Sequence, residues 1–265
     1  MGPLAPLVRR AKPALRGDPP NASICFVHMP KCGGESVHDA LRPRFVAYYQ
    51  PTYRLNIGHV ARAADLAGRD MIDLCRDLLL FQLASQKKGY IGGHYAFSAT
   101  AWREFHESWK FITVLRDPVK RWFSHYFYNR YKTHSELDRI TEELEEFVET
   151  ERAVIYGRMY VRHLSESGEV EEALANLDRF DLVGILERLP DFAEQFQRMF
   201  GTPLSLCHRN ENPLGAERQR EMITPAVRAR VEELCEPDMR VYEGATGLAP
   251  ASCRSTDCLR VTSAD

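Results

Sequence analysis

The sequence predicts an α/β protein with a P-loop-like three-layer fold, a central parallel sheet flanked by helices. Three observations carry that expectation. Apolar runs of strand length alternate with stretches of helical period, the pattern of a parallel sheet with crossover helices. The run at 23–28 enters a Pro-Lys turn and a Gly-Gly step before a helical pattern opens, and the run at 109–115 stops at an Arg-Asp-Pro that starts another helix. Strands of an open parallel sheet present their carboxyl ends along one edge, so the residues that follow them converge there.

In chain order, residues 1–22 read as a flexible lead rich in Pro and Arg, 23–245 as the folded domain, and 246–265 as a polar tail. Strands are predicted at 23–28, 89–93, 109–115 and 181–186, with a further one at 204–207. The stretch 60–87 predicts one helix, or a pair broken near Gly68, whose apolar face ends at Leu78–Phe81. From Pro118 the pattern is helical, with Asp117 placed to cap it, and Arg121, Ser124 and Tyr128 share a face. Residues 136–151 set Leu137, Ile140, Leu144, Phe147 and Val148 at helical spacing among acidic neighbours, which form a solvated face. Trp102, Trp122 and Tyr126 are expected in the core.

The chain has 265 residues, of which 44% are hydrophobic and 27% charged, enough for one globular core. A net charge of −2 excludes the global basic field of nucleic-acid binders, so any anion site must be local. Residues 1–20 hold no apolar stretch long enough for a signal peptide or membrane anchor, so the chain reads as soluble. The seven cysteines are odd in number and form no C-x-x-C pair, which argues for reduced thiols and against a zinc site.

The segment Ile24-Cys-Phe-Val-His-Met-Pro-Lys-Cys-Gly-Gly-Glu-Ser36 has the parts of a phosphate cradle. Gly33 and Gly34 bring main-chain N–H groups close to an anion, the following helix adds free amides and the positive end of its dipole, and Lys31 supplies a full charge. The lysine precedes the glycines, whereas the common nucleoside-triphosphate loop G-x-x-x-x-G-K-[ST] has it after them. Ser36 reads both as a phosphate ligand and as a helix cap. In Arg116-Asp-Pro-Val-Lys-Arg-Trp-Phe-Ser124, a guanidinium at a strand end and a hydroxyl on the next helix suit a second phosphate.

Together these segments resemble the PAPS-dependent sulfotransferases, in particular the carbohydrate, heparan-type and bacterial enzymes with H-x-P-K-x-G-G-x-S and R-D-P-x-x-R-x-x-S motifs. Gly93-His94-Tyr-Ala-Phe97 is similar to that family's G-H-x-x-F, and Phe180–Glu187 to its later strand. The resemblance spans roughly residues 22–245. It implies that Lys31, Cys32, Gly33, Gly34, Glu35 and Ser36 hold the 5′-phosphosulfate of PAPS and that Arg116 and Ser124 hold its 3′-phosphate, with no metal. It also implies a hydroxyl acceptor, a carbohydrate or glycoconjugate, and, since vertebrate members usually carry an amino-terminal membrane anchor, a bacterial-type cytoplasmic enzyme, with a trimmed lumenal domain as the alternative. Cys32 and Glu35 depart from the family, which commonly has threonine at both. A carboxylate at 35 repels a bound dianion unless its side chain turns away.

For the chemistry, Lys31 is the candidate to meet charge at the leaving oxygen, and His94 the candidate base, since imidazole titrates near neutrality and Gly92-Gly93 allow close approach of a substrate. His59 and Glu35 are rival bases; His28 is expected beneath the loop, and His125 beside Ser124 as a support or as helix surface. Arg121 reads as a phosphate ligand or as the partner of an acidic neighbour. Arg158 and Arg162 read as anion ligands or as part of an amphipathic helix. Two other functions fit a strand–loop–helix anion site: a nucleotide or small-molecule kinase, which needs magnesium, and a non-catalytic PAP-binding module, which keeps Lys31 and Arg116 without depending on His94.

Overall fold

The computed structural model describes residues 20–47, 51–132, 138–206 and 215–247. Five strands, β1 (Ser23–Val27), β2 (Thr52–Arg54), β3 (Tyr90–Gly93), β4 (Trp109–Leu115) and β5 (Leu182–Ile185), form one all-parallel sheet in the order β2-β3-β1-β4-β5. Strand β1 therefore lies at the centre, paired with β3 through Val27↔Gly93 and with β4 through Val27↔Thr113. The fold is the three-layer α/β arrangement that the alternating pattern predicts.

Strands β1, β3, β4 and β5 are largely buried on both faces, and their alternation sorts the layers. Cys25 and Val27 of β1 face a core that also holds Leu79 and Leu83 of α3 (Met71–Ala84), Ala101 of α4 (Ala99–Phe105), Tyr160 and Leu164 of α8 (Met159–Leu164), Ala173 and Leu177 of α9 (Val170–Leu177) and Val241 of α13 (Glu236–Gly247). Ile24 and Phe26 face the opposite layer, where Val37, Leu41 and Phe45 of α1 (Gly34–Ala47) and Phe192, Phe196 and Phe200 of α10 (Leu189–Phe200) pack. A third cluster joins α5 (Pro118–Tyr131) to α6 (Leu144–Phe147), α7 (Glu151–Gly157) and α12 (Pro225–Leu234) around Trp122, Phe147 and Val231. The remaining helices are α2 (Ile57–Ala67) and α11 (Ala216–Met222).

Gly68 does break the 60–87 stretch: it ends α2 at φ 61°, and Asp70 caps α3 by accepting from the N–H of Ile72. Asp117 caps α5 by accepting from Lys120 N–H, with Pro118 in the first turn.

Two expectations are corrected, and a third feature, one strand, was not predicted. Residues 204–206 are not a strand, and Cys207 lies outside the described residues. The 136–151 stretch is not one helix: Ile140 precedes α6, and Thr150 caps a separate α7. Its apolar positions Ile140, Leu144, Phe147 and Val148 are nonetheless buried; Leu137 lies outside the described residues. The third concerns β2, which nothing in the sequence pattern announced. It is three residues long and largely exposed, and it pairs only with β3. Most of the 1–22 lead and the 246–265 tail also lies outside the described residues.

Among the described residues no helix is long and apolar enough to cross a membrane. Cys25, Cys32, Cys75 and Cys235 are buried free thiols.

Candidate anion and proton-transfer site

Connections leave β1 and β4 in opposite directions, toward β2 and toward β5, so the crevice at their carboxyl ends is the switch point of the sheet. The two anion segments flank it. The first leaves β1 through His28, whose N–H donates to Gly93 O at 2.9 Å, and turns through Lys31 and Gly33 in left-handed conformations, φ 65° and 73°. That geometry is strained for a lysine and is held only where its surroundings insist on it. Gly34 opens α1 directly over the His28 ring, and a Cβ at that position would lie 2.0 Å from the imidazole. His28 is buried beneath the loop, as expected.

The Lys31 ammonium lies 3.6 Å from the centre of the Tyr128 ring on α5, and its carbonyl accepts a 3.3 Å hydrogen bond from Arg116 Nη1. Burial, together with the charges of Lys132 and Arg116, brings the Lys31 amine down to about 8; Glu35 opposes this. Ser124 and Tyr128 of α5 and Lys132, the residue that ends the helix, recur at one-turn spacing, so Lys132 extends the face of Ser124 and Tyr128. Sequence reading stopped that face at Tyr128, although the same four-residue step reaches Lys132.

Glu35 turns to Arg54 at the end of β2 and forms an ion pair with it. The carboxylate that threatened the anion site therefore has a cation of its own, supplied by the strand that the sequence did not reveal. Cys32 is fully buried, so it offers a ligand only its main chain; burial raises the thiol to about 11. Ser36 is buried inside the first turn of α1, two residues past the helix start, and so is not the cap.

His94 follows β3 and is partly buried, with its Nδ1 2.8 Å from the carbonyl of His28 and its ring 4.3 Å from that of His28. A carbonyl only accepts, so Nδ1 carries the proton and Nε2 the lone pair. Burial holds His94 below the usual imidazole value, more than the bond to His28 O raises it. The result is a neutral imidazole of fixed tautomer at the sheet edge that carries Lys31 and Arg116. The room at Gly92 and Gly93 is taken by protein, which corrects the expectation of substrate contact: a Cβ on Gly92 would meet the Tyr90 hydroxyl, and one on Gly93 the backbone of Leu55.

The rivals are placed elsewhere or otherwise engaged. His59 is exposed in the first turn of α2. Arg121 is fully buried, donates to the carbonyl of Tyr156 and pairs with Asp238 at 3.5 Å, so it is the structural arginine of the motif. Arg158 donates to Gly168 O and Arg162 pairs with Asp70. His125 stacks on Tyr156 at 4.0 Å, supporting α5 from behind. Trp122 and Tyr126 are core; Trp102 is half-buried, its indole N–H bonded to Arg179 O.

Glu187, just past β5, accepts from Asp117 N–H at 3.2 Å. A carboxylate thus already uses one amide at the start of α5. Among the described residues no cluster of His, Cys, Asp and Glu is arranged to hold a metal ion.

Comparison of the sequence with protein-family models and with curated proteins finds no match.

Proposed function

We propose that this protein transfers the sulfuryl group of PAPS to the hydroxyl of an acceptor, a carbohydrate or glycoconjugate, and releases PAP. The observation that best supports this reading is the meeting of Lys31, Arg116 and a neutral, tautomer-fixed His94 at one sheet edge, tied together by the Arg116–Lys31 and His94–His28 hydrogen bonds.

Each group then has a task set by its chemistry. Main-chain N–H groups around Gly33 and Gly34 and the Lys31 ammonium take the 5′-phosphosulfate; Arg116 and Ser124 take the 3′-phosphate. The acceptor oxygen forms a bond to sulfur as the bond from sulfur to the 5′-phosphate oxygen breaks. His94 Nε2 receives the acceptor proton, and the electron pair of the broken bond stays on the phosphate oxygen, where Lys31 meets it. Lys31, Arg116 and Lys132 supply the positive charge, so the proposal includes no divalent ion, and it sets the reaction in the cytoplasm.

The test is transfer of label from sulfur-labelled PAPS to a library of hydroxyl acceptors, with PAP release followed in parallel. Transfer dependent on His94 supports the reading. A preference for ATP–magnesium with phosphoryl transfer would replace it with the kinase reading; PAP binding without transfer to any acceptor would replace it with the binding-module reading.

A further inference from the structure

Tyr160, on α8, reaches both anion segments with one hydroxyl. That hydroxyl donates to the carbonyl of Arg116 at 2.6 Å, accepts from the N–H of Arg116 at 2.9 Å, and lies 3.2 Å from the Cys32 sulfur. Its single proton goes to the Arg116 carbonyl, so in the third contact only the thiol can donate, its S–H shared with the Pro30 carbonyl at 3.5 Å. The ring is fully buried, with the Arg121 guanidinium 5.3 Å from its centre. The main chain of α8 is fixed in turn: the Asp238 carboxylate accepts from Tyr160 N–H at 2.9 Å and from Val161 N–H at 3.0 Å, and pairs with Arg121.

A second hydrogen-bonded link between the segments is that of the Arg116 guanidinium to the Lys31 carbonyl, made by the side chain that the reading above turns to the ligand. An anion that draws this guanidinium toward itself weakens that link. The Tyr160 hydroxyl holds the backbone of Arg116, not its side chain, so its hold survives ligand binding.

We propose that Tyr160 is a positioning residue that sets the spacing between the two anion segments, so that they bind one ligand with two separated anionic groups better than two single anions. The inference rests on the reading above that the segments serve the two ends of one nucleotide. The chelate advantage of such a ligand depends on pre-set spacing, whereas a ligand with a single anion uses one segment and is indifferent to it.

The test measures the affinities of PAP, adenosine 5′-monophosphate and adenosine 3′-monophosphate for the full chain and for Tyr160→Phe, which keeps the ring and the α8 main chain and removes the hydroxyl. The expected result is a loss of roughly tenfold or more for PAP with each monophosphate changed less than about threefold, since only the coupled contact is lost. Equal weakening of all three ligands, or an unchanged PAP affinity, overturns the inference while leaving PAP binding by the parent intact. Failure of the parent itself to bind PAP removes the functional reading and the inference together. Should Tyr160→Phe not fold, Cys32→Ala carries the test: a selective loss for PAP that Cys32→Ser restores supports the inference, and the absence of selective loss overturns it.

Discussion

His94 Nδ1 donates to the main-chain carbonyl of His28 across 2.8 Å, which leaves Nε2 with the lone pair that a base needs. It fixes the tautomer, while burial keeps the ring neutral. The same His28 packs under Gly34, so His94 and the turn that opens α1 are positioned by one buried residue.

His94→Ala is expected to lower turnover by about 10²–10⁴ while PAP affinity stays within a few-fold of the parent, the signature of a lost general base. Steady-state rates with calorimetric PAP binding check it. His59→Ala and Glu35→Gln serve as controls; if either stops turnover with PAP binding intact while His94→Ala remains active, the base is misassigned.

Arg116→Ala and Ser124→Ala should weaken nucleotides with a 3′-phosphate far more than adenosine 5′-phosphosulfate. Loss of a charge-assisted bond costs about 1.5–3 kcal/mol, roughly ten- to a hundredfold in affinity. Competition binding with the two nucleotides reads the difference, and equal weakening refutes the division of labour.

Much of this site was legible because the chemistry-bearing residues follow apolar strands directly: His28 and Lys31 after β1, His94 after β3, Arg116 after β4. What stayed hidden is long-range. The partner of Glu35 comes from β2, which is too short and exposed to leave an apolar signature. Asp238 and Tyr160 lie far along the chain from the Arg121 and Arg116 that they hold, and nothing in their local sequence announces a buried pairing. The 136–151 stretch shows the converse: its helical period correctly marks a buried face, but the Thr150 cap divides the helix.

Burial, and after it the like charge of Lys132, depress the Lys31 amine to about 8. Lys31 acts as a cation, so donor capture is expected to hold below that value and to fall as pH rises through it. Removing a like charge raises the amine, so Lys132→Ala should move the alkaline limb of kcat/KM to higher pH while lowering donor affinity. A limb that stays in place would show that Lys132 does not act on Lys31.

Acid should destabilise the fold from about pH 6.5 downward. Burial lowers His38 to about 4 and His163 to about 3, against 6.5 for an unperturbed histidine. Below 6.5 the unfolded chain takes up protons that the folded one refuses, so stability present above that pH is lost as pH falls. Each such histidine contributes about 1.4 kcal/mol per pH unit in that window. Asp238, raised to about 6, works in the opposite sense as pH falls below that value, but it is one group against two, with His28, His94 and His125 also lowered. Urea midpoints measured from pH 7.5 to 5 check the sign; a midpoint that rises on acidification contradicts it.

The most direct test of the central claim is calorimetric titration with PAP in EDTA, set beside ATP with magnesium. The account predicts tight PAP binding that does not depend on a divalent ion and is weakened roughly ten- to a hundredfold on mutation of Arg116. Preference for ATP–magnesium, or disappearance of PAP binding in EDTA, would contradict it.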